Sequence, residues 1–247
     1  MRRDNVFEKK AFARGRERAK EAIACLKLSR HNIAQECLLD LGCGSGYLLR
    51  YLEKKGINVV GLEINRKHLR IAKMINLDSK LILGDGLKLP FKDNVFHTVV
   101  LNDVLEHVPY RNAELLLREI WRVLDQKGKL YISVSNKYQI KEPHTLIWFL
   151  TWLPRKCYVP ILGKIRQPGN LIYPYTPKRL KEICGNAGFT LDDYTWFYAR
   201  KKIIEISYIG DPLLRKIVTL LGKLGISKSL FKIAAKFSMI IVVCERR

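Results

Sequence analysis

The residues best suited to chemistry fall in two short clusters. The first is Leu38-Leu39-Asp40-Leu41-Gly42-Cys43-Gly44-Ser45-Gly46, a glycine-rich turn that follows an apolar run and opens a helical pattern. Gly42, Gly44 and Gly46 let the backbone turn sharply and approach a ligand closely, because a Cβ there would clash or forbid the φ required. Glu63 ends the next apolar run, twenty-one residues after Gly42. A carboxylate in that place can accept hydrogen bonds from both hydroxyls of a ribose. The spacing is G-x-G-x-G rather than G-x-G-x-x-G, which weighs against a pyrophosphate-binding dehydrogenase. The second cluster is Asp103, Glu106 and His107, whose i, i+3 and i+4 spacing puts them on one face of a helical turn. Each feature alone has an ordinary explanation as a turn or a solvated strand end. Their agreement at one edge of one sheet is what carries the reading, since ligand sites gather at the C-terminal ends of such strands.

The elements that must position these groups alternate along the chain. Apolar runs predict strands over Cys37–Leu41, Asn58–Glu63, Lys80–Leu83, Val95–Leu101 and Lys129–Ser135, separated by helical patterns over Tyr47–Lys55, Arg66–Asn76 and Asn112–Leu124. Strands divided by helix-length segments imply right-handed crossovers and a mostly parallel sheet covered on both faces, a doubly wound α/β fold. Residues 1–34 read as an amphipathic helical segment lying across the core. The rhythm breaks at 137–175, which holds five of the nine prolines and a dense aromatic set, so it is expected to be an irregular cap over the substrate. A helix over Pro177–Ala187 and a strand over Phe189–Tyr198 follow. Residues 200–236 read as a basic insertion of two short amphipathic helices, before a closing strand Ser238–Cys244. One domain spanning 1–247 is the expected organisation.

The blocks Leu38–Gly46, Val60–Ile64, Gly84–Phe91, Glu119–Leu124 and Gly128–Leu130 occur in one order across residues 36–136. In sequence and order they resemble the small-molecule class I S-adenosylmethionine (SAM) dependent methyltransferases, type 11 and quinone-pathway-like. The resemblance implies a seven-stranded Rossmann-like sheet and SAM as cofactor. It implies that Asp40 supports the glycine loop near the methionine end, that Gly42, Gly44 and Gly46 wrap the cofactor, and that Glu63 holds the ribose. Ile64 would pack on the adenine, Asp85 would accept its amino group, Gly86 and Leu87 would offer backbone contacts, and Asn102 and Asp103 would sit by the methionine moiety. One departure is Phe96-His97, where the family usually has Phe-Asp. Asn102–Pro109 resembles a segment of quinone-pathway O-methyltransferases in which an acidic pair and a histidine can hold a divalent ion. Asp103, Glu106 and His107 are thus weak metal candidates, local hydrogen bonding being the alternative. His107, at the mouth of the cofactor site, is the first choice for a general base, and His144 in the cap the second.

Composition narrows the partner. The chain carries 45 Lys and Arg against 23 Asp and Glu, a net charge of +22, and residues 1–30, 137–185 and 200–236 together account for +20 of it. An anionic neighbour is expected. Trp, Phe, Leu and Ile interleaved with Lys and Arg suit a surface lying among lipid headgroups, hence a small or amphiphilic acceptor such as an isoprenoid quinone or a polyprenyl-linked compound. RNA methylation, or a non-catalytic SAM-fold binding role, are the alternatives. Six cysteines without C-x-x-C spacing suggest neither zinc nor a disulfide framework, and the longest apolar run, Leu146–Leu153, is too short to span a bilayer. The cytoplasm, including the membrane periphery, is the expected location; the oligomeric state is left open.

Overall fold

The computed structural model describes residues 2–31, 37–75, 80–140, 147–165, 172–201 and 235–247. Their order is α1 (Arg2–Leu28), β1 (Cys37–Leu41), α2 (Tyr47–Glu53), β2 (Asn58–Glu63), α3 (Arg66–Met74), β3 (Lys80–Leu83), β4 (Phe96–Asn102), α4 (Tyr110–Val123) and β5 (Leu124–Val134). Then come α5 (Arg155–Ile165), α6 (Pro177–Asn186), β6 (Phe189–Asp193) and β7 (Ile240–Arg246). The seven strands form one sheet in the order β3-β2-β1-β4-β5-β7-β6. The first five run parallel, while β7 lies antiparallel to both β5 and β6.

Alternating strand residues face opposite ways, and here both faces are apolar, as expected of a sheet covered on two sides. Leu39, Leu41, Val99, Leu101, Leu130 and Ile132 pack under α4 and α6. Leu38, Val59, Val100, Tyr131, Ile241 and Val243 face the other way, against Ala19, Ala22 and Leu26 of α1 and Leu48, Leu49 and Leu52 of α2. The long α1 thus completes one layer. It comes so close to α2 that a Cβ on Gly15 would lie 2.5 Å from Cβ of Tyr47.

The chain leaves β1 toward β2 and β3 on one side and later returns to place β4 on the other, so the sheet reverses direction between β1 and β4. A crevice opens at the strand ends at such a point. The turn after β1 and the turn after β4 border it.

Two expected elements are corrected. The cap is not wholly irregular, because α5 runs through it with Pro160 inside. Carbonyl O of Pro154 accepts from the N–H groups of Cys157 and Tyr158, and burial of Tyr158 against Leu150 and Ile172 outweighs the one backbone bond that Pro160 cannot make. The strand expected to reach Tyr198 stops at Asp193, whose carboxylate accepts from the N–H of Thr195 at 2.8 Å and starts a helical segment over 195–201. The basic insertion at 200–236 lies, apart from its ends, outside the described residues.

Candidate active site

The glycine turn is shaped by contacts on both sides. Gly42 has φ of +79°, and a Cβ on it would lie 2.5 Å from Cγ2 of Val104 in the turn after β4. Gly44, at φ +55°, would place a Cβ in open space with nothing within 4 Å, so the loop backbone faces a gap that a ligand can enter. The N–H of Gly44 donates to Oε2 of Glu63 at 2.8 Å, and the N–H of Asn65 donates to Oε1 at 2.7 Å. Glu63 therefore ties the loop to the start of α3, where Asn65 Oδ1 caps the N–H of Lys67. Each carboxylate oxygen keeps a second lone pair for a sugar hydroxyl.

Beside this turn lies a cavity of about 260 Å³ bordered by Gly42, Ile64, Asp85, Leu87, Val104 and His107. Ile64 is 68% exposed at its mouth, and Asp85 Oδ1 accepts from the N–H of Leu87 at 2.9 Å. An apolar flank, an acidic acceptor and nearby backbone amides suit a flat heterocycle.

A second cavity, of about 470 Å³, lies under α1, between Arg14, Glu17, Arg18 and Glu21 and the residues Asp103, Glu106, Ser135, Tyr198 and Met239. The chain passes from one cavity to the other at Asp103–Val104. Asp103 has φ of +55°, a left-handed conformation that Asp tolerates better than most residues. It lines the larger cavity, while its neighbour Val104 lines the smaller. Asp103 Oδ2 pairs with Arg18 at 2.8 Å and Oδ1 accepts from Ser133 Oγ at 3.1 Å; Asn102 Oδ1 accepts from the same hydroxyl at 2.8 Å. A carboxyl below the loop, Asp40, is 2% exposed, and its Oδ2 has no hydrogen-bond partner among the described residues.

Comparison with known proteins decides the family. A methyltransferase-domain family matches residues 39–132. Demethylmenaquinone methyltransferase of Lactobacillus johnsonii is 40% identical over an alignment of 174 positions that covers 63% of this chain and 68% of that one. The chain belongs to the SAM-dependent methyltransferases. An uncharacterized protein of Methanocaldococcus jannaschii is 40% identical over 117 residues, and ubiquinone biosynthesis O-methyltransferase of Pelagibacter ubique is 29% identical over 123. The chain spans about half the length of these two relatives, 48% and 50%. Among solved structures, a SAM-dependent methyltransferase from Archaeoglobus fulgidus covers 98% of both chains with a TM-score of 0.59 at 15% identity. One from Mesorhizobium loti reaches 0.60 over 87% of this chain and 92% of that one at 18% identity. These two share the fold.

In this methyltransferase the residues present fit the cofactor. The open space beside Gly44 and the cavity at Ile64 and Asp85 both adjoin the turn after β1, Gly42 of that turn lining the cavity, and the unpartnered Oδ2 of Asp40 lies near the end of the same strand. Asp40, Gly42, Gly44, Gly46, Glu63, Ile64, Asp85, Gly86 and Leu87 lie in or beside the turns that border it. Asn102 and Asp103 stand at the end of β4, where the larger cavity begins. His144 lies outside the described residues.

The expected grouping of Asp103, Glu106 and His107 is corrected. Leu105–His107 is a 3-10 turn, not an α-helical one. Asp103 lies outside this turn, in a left-handed conformation at φ +55°, and within it successive residues are rotated by about a third of a turn. Asp103 and Glu106 accordingly line the larger cavity and His107 the smaller. Among the described residues no group of three His, Cys, Asp or Glu side chains is arranged to hold a metal ion. The Phe96-His97 departure is also accommodated, as His97 Nε2 lies 3.5 Å from Oδ2 of Asp125.

Arg18, Glu21, Ser135, Tyr198 and Met239 were not expected at the site. Arg18 sits in a helix with charges on every side and carries no local signal that separates it from its exposed neighbours. Ser135 directly follows β5, a place that the sheet topology could have singled out.

Burial first, and Glu63 second, push the Asp40 carboxyl from the ordinary 3.8 up to about 7. The folded chain therefore holds a proton that the unfolded chain releases, and stability falls as pH rises between about 4 and 7. Asp40→Asn has no such proton to lose. Without cofactor, its stability relative to the natural protein should rise by roughly 2–3 kcal/mol between pH 5 and pH 8, read from urea midpoints. A difference that stays constant over that range would show that Asp40 is not held protonated.

Proposed function

We propose that the chain transfers the methyl group of SAM to an amphiphilic acceptor of the quinone or polyprenyl kind, taken up at a membrane surface. SAM supplies a methyl on a sulfonium that needs no covalent help, so the work left to the protein is alignment and exclusion of water. The roof formed by α1 serves the second task, and the turn at Asp103–Val104 lets one ligand extend between the two cavities.

The observation that carries the acceptor reading is an aromatic patch next to the larger cavity. Trp148, Phe149, Trp152 and Leu153 are exposed. Trp152 stacks on Phe237, with ring centroids 5.9 Å apart and planes 8° from parallel, and Phe237 is two residues from the cavity-lining Met239. On the other side, carbonyl O of Lys137, two residues beyond Ser135, accepts from Thr151 Oγ1 at 2.8 Å. Phe149 holds a left-handed φ of +57°, which keeps it beside Trp148 and 5.3 Å from Trp152. Exposed Arg155 and Lys156 flank the patch. Aromatic anchors ringed by cations suit the headgroup region of an anionic bilayer, with a polar head reaching the cavity and an apolar tail left outside. No helix among the described residues is long and apolar enough to cross a membrane. The relatives' names, demethylmenaquinone and ubiquinone-pathway methyltransferases, agree with such an acceptor.

Co-sedimentation with vesicles of phosphatidylglycerol and phosphatidylcholine tests this. The triple variant Trp148→Ala/Phe149→Ala/Leu153→Ala should partition at least about 10-fold more weakly than the natural protein, with SAM affinity unchanged. Equal pelleting of the two would remove the membrane from the proposal.

A further inference from the structure

We infer that Glu106 is a catalytic residue, the group that receives the acceptor's proton, and that the acceptor presents a hydroxyl to it in the cavity under α1. This rests on the methyl-transfer reading above and names the acceptor atom. Glu106 is 0% exposed, lines the larger cavity, and its Oε2 has no hydrogen-bond partner among the described residues. Its other oxygen is fully engaged: Oε1 accepts from Ser135 Oγ at 2.8 Å and from the Ser135 N–H at 3.3 Å. Its backbone carbonyl accepts from the N–H of Tyr173 at 2.6 Å, so the turn that carries it is held from two sides. Burial first, and Asp103 second, push this carboxyl up to about 7, so above that pH it is a carboxylate fixed in direction with one oxygen left over.

The other carboxylates of this cavity are already matched by cations. Asp103 pairs with Arg18 at 2.8 Å, Glu21 with Arg18 at 3.4 Å and with Lys201 at 3.6 Å, and Glu17 with Lys20 at 3.0 Å and Lys201 at 3.5 Å. Glu106 is the carboxylate of this lining for which no such ion pair is found among the described residues. A buried acceptor atom with no donor is costly by about 1–3 kcal/mol, and because this one borders a cavity its donor comes from what fills that space, water before the acceptor binds and the acceptor's own group afterwards.

The kind of donor follows from the reaction. A ring carbon has no acidic hydrogen of its own to give to Oε2; only a hydroxyl beside it could, so the methylated product, on oxygen or on carbon, decides the acceptor atom. An amine arriving as an ammonium would be held as an ion pair with its nitrogen lone pair blocked. A hydroxyl donates its hydrogen to Oε2 and keeps oxygen lone pairs for the methyl group. In the transfer an O–CH3 bond forms as the S–CH3 bond of SAM breaks. The hydroxyl proton passes to Glu106, and the electron pair leaves with sulfur as S-adenosylhomocysteine. The charges balance, because a cationic sulfonium and a carboxylate become a neutral thioether and a carboxylic acid. His107, on the cavity of Ile64 and Asp85, is not placed for this step.

The test uses the full chain, tritiated SAM and octyl 3,4-dihydroxybenzoate, with octyl 3,4-dimethoxybenzoate and octylamine as comparison probes. The natural protein should methylate the dihydroxy probe on oxygen, giving a methoxy product by mass spectrometry, and neither comparison probe; a ring-methylated product would overturn the inference. Glu106→Gln should lower that transfer by about 100-fold or more. By titration calorimetry the same variant should keep SAM affinity within about threefold and dihydroxy-probe affinity within about tenfold, since its amide oxygen takes the place of Oε1 against Ser135 and its NH2 can donate to the probe's hydroxyl oxygen. Glu106→Asp, which retains a carboxylate, should recover part of the rate. Transfer by Glu106→Gln at the natural rate, transfer to octylamine in preference, or no transfer to the dihydroxy probe by a protein that binds SAM would each overturn the inference and leave cofactor binding standing. Failure of the natural protein to bind SAM would instead overturn the reading on which it rests.

Discussion

Replacing Glu63 by alanine should weaken SAM binding by about 100-fold or more. The carboxylate has two structural tasks before any ligand arrives, accepting from the N–H of Gly44 at 2.8 Å and of Asn65 at 2.7 Å. Removing it leaves two donors unpaired in a part-buried place and frees the glycine turn from α3. It also removes the oxygens offered to the ribose. Each effect is worth about 1–3 kcal/mol, and both fall on the same ligand. Glu63→Gln keeps one accepting oxygen in nearly the same place and should lose only about 10-fold. Titration calorimetry on the three proteins, with circular dichroism to verify the fold, reads the series directly. Equal affinities would mean that the loop and sugar are held by something else.

Arg18→Ala should destabilise the chain by about 3 kcal/mol and abolish transfer. Arg18 reaches from α1 across the larger cavity to Asp103 at 2.8 Å, to Glu21 at 3.4 Å and to Sδ of Met239 at 3.2 Å. Burial works to lower its pKa, but Asp103, Tyr198 and Glu21 more than offset this and hold the guanidinium charged. Without it, Asp103 and Glu21 face a cavity that already contains Glu106. Breaking a part-buried pair from one side is costly because Asp103 is left uncompensated, although Glu21 keeps Lys201 at 3.6 Å. The roof should then lift from the sheet. A double-mutant cycle with Asp103→Asn separates the pair from general packing: the cost of Arg18→Ala should shrink by about 1–2 kcal/mol in that background. Strict additivity would show that the ion pair does not hold α1 down.

The parts of this arrangement that were legible in the sequence are the local ones. The turn at Gly42–Gly46 and the carboxylate at Glu63 announce themselves because strand, glycine and acid follow one another within a short stretch. The strands themselves show as apolar runs, since both faces of the sheet are covered. Non-local features leave weaker traces. Arg18 and Asp103 are 85 positions apart in the chain, and nothing in the charge pattern of α1 marks Arg18 among ten basic residues of 1–30. The grouping of Asp103 with His107 failed because spacing alone does not show that the chain leaves β4 through a left-handed Asp103 and a short 3-10 turn, which puts Glu106 and His107 on different cavities. Pro160 argued against a helix that the burial of Tyr158 nonetheless supports. The placement of β7 between β5 and β6 depends on pairing partners that no single strand reveals.

One cofactor is expected to lie across Asp103–Val104, with its nucleoside by Ile64 and its sulfur facing the cavity under α1. A crystal structure with S-adenosylhomocysteine bound tests this most directly. The expected result is adenine between Ile64 and Leu87, both ribose hydroxyls on Glu63, and sulfur within reach of the space beside Glu106. Ligand density elsewhere on the protein, or a sulfur turned away from that space, would contradict it.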